Sequence, residues 1–191
     1  LDAELRVQAG RTATILNYAM GPETSVELRM YSLASHLLIA NEHSFYYYSA
    51  AQTGNEYYPE WDLAVGAPLE SFARIADAKR PSGLYGRLFA GGVVLVNPSD
   101  TGTYTETLDA PLALMTPAGG SIASFDGTGT IAATWVTSVT LGPGQGAILL
   151  AQWEGTVNMP AWSPQSPPGE SAAAAARTPH PEAVLARLAS G

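Results

Sequence analysis

A chain of 191 residues with nine lysines and arginines against 17 aspartates and glutamates, a formal charge of −8, excludes a surface built to neutralise rows of phosphates. Its hydrophobic content of 46% suffices for a real core, and the absence of cysteine excludes both a disulfide framework and a thiolate metal site. No apolar run reaches the roughly 20 residues of a membrane span, and neutral, polyhydroxylated partners suit the charge balance better than anionic ones.

The first 50 residues read as strand, helix, strand. TATILNYA (12–19) is a continuous apolar run that stops at Gly21-Pro22, the pattern of a strand buried on both faces of a parallel sheet. Thr24-Ser25-Val26-Glu27 matches a capping box, with Thr24 as the cap and Glu27 reaching back. Met30, Leu33, Ala34, Leu37 and Leu38 follow at helical spacing and predict an amphipathic helix over 24–40. HSFYYYSA (43–50) is aromatic and strand-like. Together these predict a right-handed βαβ unit, which has open sheet edges and implies further parallel sheet upstream of Leu1.

NEYYPEWDLAVGAPLES (55–71) is broken by Pro59, Gly66 and Pro68, yet dense in aromatics and acids. Glu56, Glu60 and Asp62 suggest an acid–base pair. However, carboxylates in one loop rarely span a sugar ring at the roughly 5–10 Å that glycosidase chemistry needs. The simpler expectation is a connecting segment anchored by Tyr58, Pro59 and Trp61, in which Glu60 or Asp62 bonds backbone N–H groups. Sugar stacking by Tyr57, Tyr58 and Trp61 is the second possibility.

From residue 84 the period changes. LYGRLFAGGVVLVN predicts a hairpin turning at Ala90-Gly91-Gly92. GTYTETL (102–108), LALM (112–115), a bent TIAATWVTSVTL (130–141) and AILLAQW after GPGQG predict further short strands of a small antiparallel sandwich. Alternation places Trp135 inside. Asn97-Pro98-Ser99-Asp100 is a turn by composition. From Pro160 the Pro-, Ser- and Ala-rich sequence predicts a disordered linker. Gly91-Gly92 lacks the lysine and helix of a phosphate loop. His36, His43 and His180 are not at metal-ligand spacing, so no metal or cofactor is expected. His36 is expected at a surface or a satisfied interface. Glu42 and His43 read as a solvated loop before the strand.

Taken in order, RMYSLASHLLIANEHSFYYYS, YYPEWDLAVGAPLES, GLYGRLFAGGVVLVNPSD and VTLGPGQGAILL resemble the C-terminal part of largely uncharacterised TIM-barrel glycoside hydrolases. The resemblance covers about residues 12–152. It implies an α/β fold followed by an all-β one: the terminal βαβ of a truncated (β/α)8 barrel over 1–70, a connector over 71–83, a β-sandwich domain over 84–156 and a tail over 157–191. It further implies a C-terminal fragment of an enzyme acting on poly- or oligosaccharide, found outside the cell or at its envelope. The main catalytic carboxylates would lie in an upstream barrel portion of the same protein, and no catalytic residue is assigned within this chain. Active sites of such barrels sit at the carboxyl ends of strands. Asn17, Tyr18, Tyr48, Tyr58, Glu60, Trp61 and Asp62 are therefore the candidate substrate-binding residues, contributing binding rather than proton transfer. The alternatives are a non-catalytic carbohydrate-binding module, with Trp135 and Trp153 exposed, and a purely structural domain.

Overall fold

The computed structural model describes residues 1–9, 15–22, 24–41, 44–50, 56–120 and 129–154; of 8, 9 and 15–18 only the backbone is described. Glu42, His43 and the expected linker beyond residue 157 lie outside the described residues. In chain order the elements are α1 (Asp2–Ala9), β1 (Ile15–Met20), α2 (Val26–Leu37) and β2 (Ser44–Ser49). One-turn 3-10 helices follow at Pro59–Asp62 and Ile75–Ala78. Then come β3 (Tyr85–Phe89), β4 (Gly92–Asn97), β5 (Tyr104–Gly119), β6 (Gly129–Leu141) and β7 (Gln145–Leu150).

The expected fold class, a barrel-ending α/β unit followed by a sandwich, is overturned. The described chain is mostly β and is organised by one five-stranded antiparallel sheet in the order β3-β4-β7-β5-β6. Parallel pairing is confined to β1 and β2. The reason lies in what covers α2. Its apolar stripe, Met30, Leu33 and Ala34, packs mainly on β7 and β4 of the antiparallel sheet. Helical periodicity shows that a stripe must be buried but not which sheet will bury it. The helix comes so close at Gly146 that a Cβ there would lie 2.9 Å from Ala34 Cβ, the Met30 carbonyl oxygen and Tyr31 Cα.

The cap also differs from expectation. Ser25, not Thr24, is the N-cap, and its hydroxyl accepts from the Leu28 N–H at 3.3 Å. At the other end Arg87, from β3, donates to the carbonyls of Leu37 (3.1 Å) and Ala40 (2.7 Å), satisfying groups a helix end leaves open.

The sheet is buried on both faces, which explains the unbroken apolar runs of β4 and β7. Val94, Val96, Ile148 and Leu150 face α2, together with Leu5 of α1. Val93, Leu95, Ala147 and Leu149 face a second cluster with Leu108, Leu112, Val139 and Leu141 from β5 and β6. The two segments 102–108 and 112–115 form one long strand, β5, with a register break at which residues 108–111 stand opposite Thr137 alone. Pro111 has no N–H for the ladder, which localises the break. β6 is likewise a single strand. Asn97, expected only in a turn, is fully buried. Its Nδ2 donates to the carbonyls of Gly102, Leu141 and Gly142 at 2.7–2.9 Å, and its Oδ1 accepts from the Ser99 N–H. It pins the β6–β7 turn to the end of β4.

The contact at Gly146 yields a direct test. Gly146→Ala should overpack the α2–β7 seam and destabilise the protein by about 1–3 kcal/mol, read as a lower urea midpoint with an unchanged slope.

Candidate functional site

At the C-terminal end of β2 and along residues 56–62 the chain gathers tyrosines, a tryptophan and carboxylates. Strand alternation sends Tyr47 and Ser49 to one side, where both reach Glu56. The Tyr47 hydroxyl donates to Oε2, and Ser49 Oγ donates to Oε1 at 2.7 Å. Glu56 is buried, so both its oxygens are held by hydroxyls in a site closed to water. Composition singled out this residue only as one of three acids in a loop; the hydroxyls two residues apart on β2 are the signal that finds it.

Tyr48 points the other way and is fully buried. Its hydroxyl donates to the Pro22 carbonyl at 3.0 Å, and its ring meets Tyr58 edge-on. Tyr58 is also fully buried and sits beneath the Arg29 guanidinium, 4.4 Å from the ring centroid. It is seated against Gly120 (φ +85°), where a Cβ would fall 2.6 Å from the Tyr58 ring. A side chain there would lift the whole aromatic group.

Besides a backbone N–H of its own segment, Glu60 engages an arginine from α2. Arg29 Nε donates to its Oε1 at 2.7 Å and Arg29 Nη2 to its Oε2 at 3.4 Å, while Nη2 also donates to the Gly119 carbonyl at 3.0 Å. Both partners are almost completely buried. Burial pushes the Glu60 carboxyl upward, and the bond and charge of Arg29 pull against it. Asp62 is exposed and accepts from the Tyr57 hydroxyl. Burial, then that carboxylate, push the Tyr57 hydroxyl up.

Trp61 lies in the middle, half-buried, with Tyr46, Tyr47, Tyr57 and Tyr58 around it at centroid distances of 5.4–6.4 Å. Most of the pairs are edge-on, the arrangement that aromatic quadrupoles favour. Its indole N–H is buried with no acceptor among the described residues. Of the sequence-predicted site residues, Tyr48, Tyr58, Glu60, Trp61 and Asp62 are thus in one neighbourhood. Asn17 and Tyr18 lie on β1 opposite Tyr46 and Tyr47, their side chains outside the described residues. Trp135, expected inside, is 53% exposed at the middle of the edge strand β6, while Trp153 packs partly on the core. Among the described residues no group of histidine and acid side chains could hold a metal ion.

His36 closes the cluster on the helix side, buried with its ring 5.4 Å from that of Tyr46. Burial lowers its pKa to about 4. With a folded value below the ordinary 6.5, the unfolded chain binds the extra proton between these limits. The stabilisation is therefore complete above pH 6.5 and is lost as pH falls to about 4, by about 3 kcal/mol. His36→Gln should flatten that part of the stability–pH profile, measured by urea unfolding from pH 7 to pH 4. At neutral pH, Arg29→Met should cost about 3–5 kcal/mol by stranding Glu60, and Arg29→Met with Glu60→Leu should recover most of the loss; equilibrium unfolding of the single and double variants measures both.

The family model described as "Hypothetical glycosyl hydrolase family 15" matches residues 7–93, which contain β1, α2, β2 and the whole 56–62 cluster. No curated protein and no solved structure matches the chain. The match supports a glycoside hydrolase-like domain in this chain.

Proposed function

We propose that the chain contributes a sugar-contacting surface to a glycoside hydrolase that acts on poly- or oligosaccharide. The observation that carries this reading is the overlap of the family match at 7–93 with the cluster of aromatics and carboxylates at the end of β2. The exposed Asp62 carboxylate and the half-buried Tyr57 and Trp61 rings offer the combination a sugar ring needs. An acceptor for hydroxyls stands beside apolar faces that cover C–H groups. Tyr48, Tyr58 and Glu60, being fully packed, hold this surface in place. Asn17 and Tyr18, on the neighbouring strand β1, are further candidates for contact with the same sugar. Glu56, held by Tyr47 and Ser49, is buried behind this surface, and the carboxylates of the reaction come from elsewhere in the protein.

A second reading, a non-catalytic carbohydrate-binding module, draws on the exposure of Trp135. The two separate in one assay. Release of reducing ends from a panel of polysaccharides and oligosaccharides should be weakened by Asp62→Ala and Trp61→Phe through KM, by about tenfold, and left alone by Trp135→Ala. Kinetics unchanged by Asp62→Ala and Trp61→Phe on every glycan cleaved would remove the sugar-contact assignment. Binding without cleavage, abolished by Trp135→Ala, would establish the second reading.

A further inference from the structure

Beside the seam with β7, between α2 and the β3–β4 hairpin, lies a cavity of about 540 Å³ that is open to solvent on one side. This is within the roughly 300–1,000 Å³ usual for small-molecule sites. One wall is the helix stripe Tyr31, Ser35 and Leu38, spaced at i, i+4 and i+7. The facing wall is the cross-strand pair Tyr85 and Val96 of β3 and β4. Ile75 closes one end, held there by its N–H donating to Asp2 Oδ1 of α1 at 2.6 Å.

What sets this cavity apart is its polar complement. Tyr31, Ser35 and Tyr85 all line it, all three are half-buried, and none of their hydroxyls has a hydrogen-bond partner among the described residues. A half-buried hydroxyl left unengaged is satisfied by water or by a ligand. Leu38, Ile75 and Val96 supply an apolar floor. No lysine or arginine lines the cavity, and its one charged side chain is the carboxylate of Asp2. A purely apolar ligand would leave those three hydroxyls without partners.

We infer that this cavity binds a neutral, ring-shaped polyol, a mono- or disaccharide unit, between the rings of Tyr31 and Tyr85. The apolar face of a pyranose covers tyrosine carbons while its hydroxyls exchange hydrogen bonds with Tyr31, Ser35 and Tyr85. The site is separate from the Tyr57–Asp62 cluster and stands or falls without it.

Saturation-transfer NMR and calorimetric titration of the full chain with glucose, galactose, mannose, N-acetylglucosamine and their β-1,4-linked disaccharides test this. At least one of these should bind saturably. Tyr85→Ala should weaken it about tenfold, Tyr31→Phe, which removes only a hydroxyl, about threefold, and Ser35→Trp, which fills the cavity, should abolish it. Circular dichroism of each variant must match the parent, and Tyr31→Phe keeps the test decisive if a larger change unfolds the chain. Absence of saturable binding by every sugar overturns the inference. So does binding indifferent to Tyr31→Phe and Ser35→Trp, or binding lost in Asp62→Ala, which would move the sugar to the 57–62 cluster. Displacement of the sugar by toluene at comparable concentration would overturn it too, because the hydroxyls would then play no part.

Discussion

A guanidinium and a carboxylate buried together hold this structure in register. Arg29 and Glu60 are each almost fully removed from water, which costs several kcal/mol per ion before any attraction is counted. That cost is offset only because each remaining valence finds a partner: Gly119 carbonyl for Nη2, the Tyr58 face for the guanidinium plane. The three contacts come from α2, the 59–62 turn and the end of β5, which no local hydrogen bonding connects. The position of Trp61, one residue past Glu60, and of Asp62 after it follows from where this pair is fixed. The chemistry exposed at the surface is thus set by a charge pair that never reaches it.

Two other polar groups do comparable work at the borders of the apolar layers. Arg87, buried in β3, faces the carbonyl end of α2, so a strand side chain adds to the capping that Leu38, Ile39 and Ala40 give through their own N–H groups. Asn97 answers carbonyls at the β6–β7 turn. Both sit on strands whose other residues, Tyr85 apart, are buried and apolar. Their side chains carry the directional part of a fold whose bulk stabilisation is non-directional burial.

The strand-forming runs around residues 15–20, 44–49, 85–97 and 145–150 were legible because β-branched and aromatic residues end at glycine or proline. The apolar stripe of α2 was legible too. Its cover was not, since Met30 and Ala34 look the same to a parallel sheet as to an antiparallel one, and that ambiguity produced the barrel-like expectation. Alternation assigned Trp135 a face, and among the described residues that face of β6 leaves its ring 53% exposed. The three acids of 56–62 were visible as a group, while their separate fates were not. Glu60 is claimed by an arginine 31 residues earlier, Glu56 by hydroxyls on β2, and Asp62 remains at the surface. Pairings at such separations leave no trace in local pattern.

The packing of α2 on β7 has a temporal side. α2 is made well before β7, the last of the described strands and its main cover, and Gln145 donates to Glu27 across 118 residues. During synthesis at about 5–20 residues per second, the stripe of α2 waits several seconds with its apolar side open. Closure of long chain loops must precede the contacts that repay it. The nascent protein is therefore most vulnerable to off-pathway association between the emergence of α2 and that of β7, and a ribosome stalled before residue 145 would present a helix covered by β4 with its larger partner still missing.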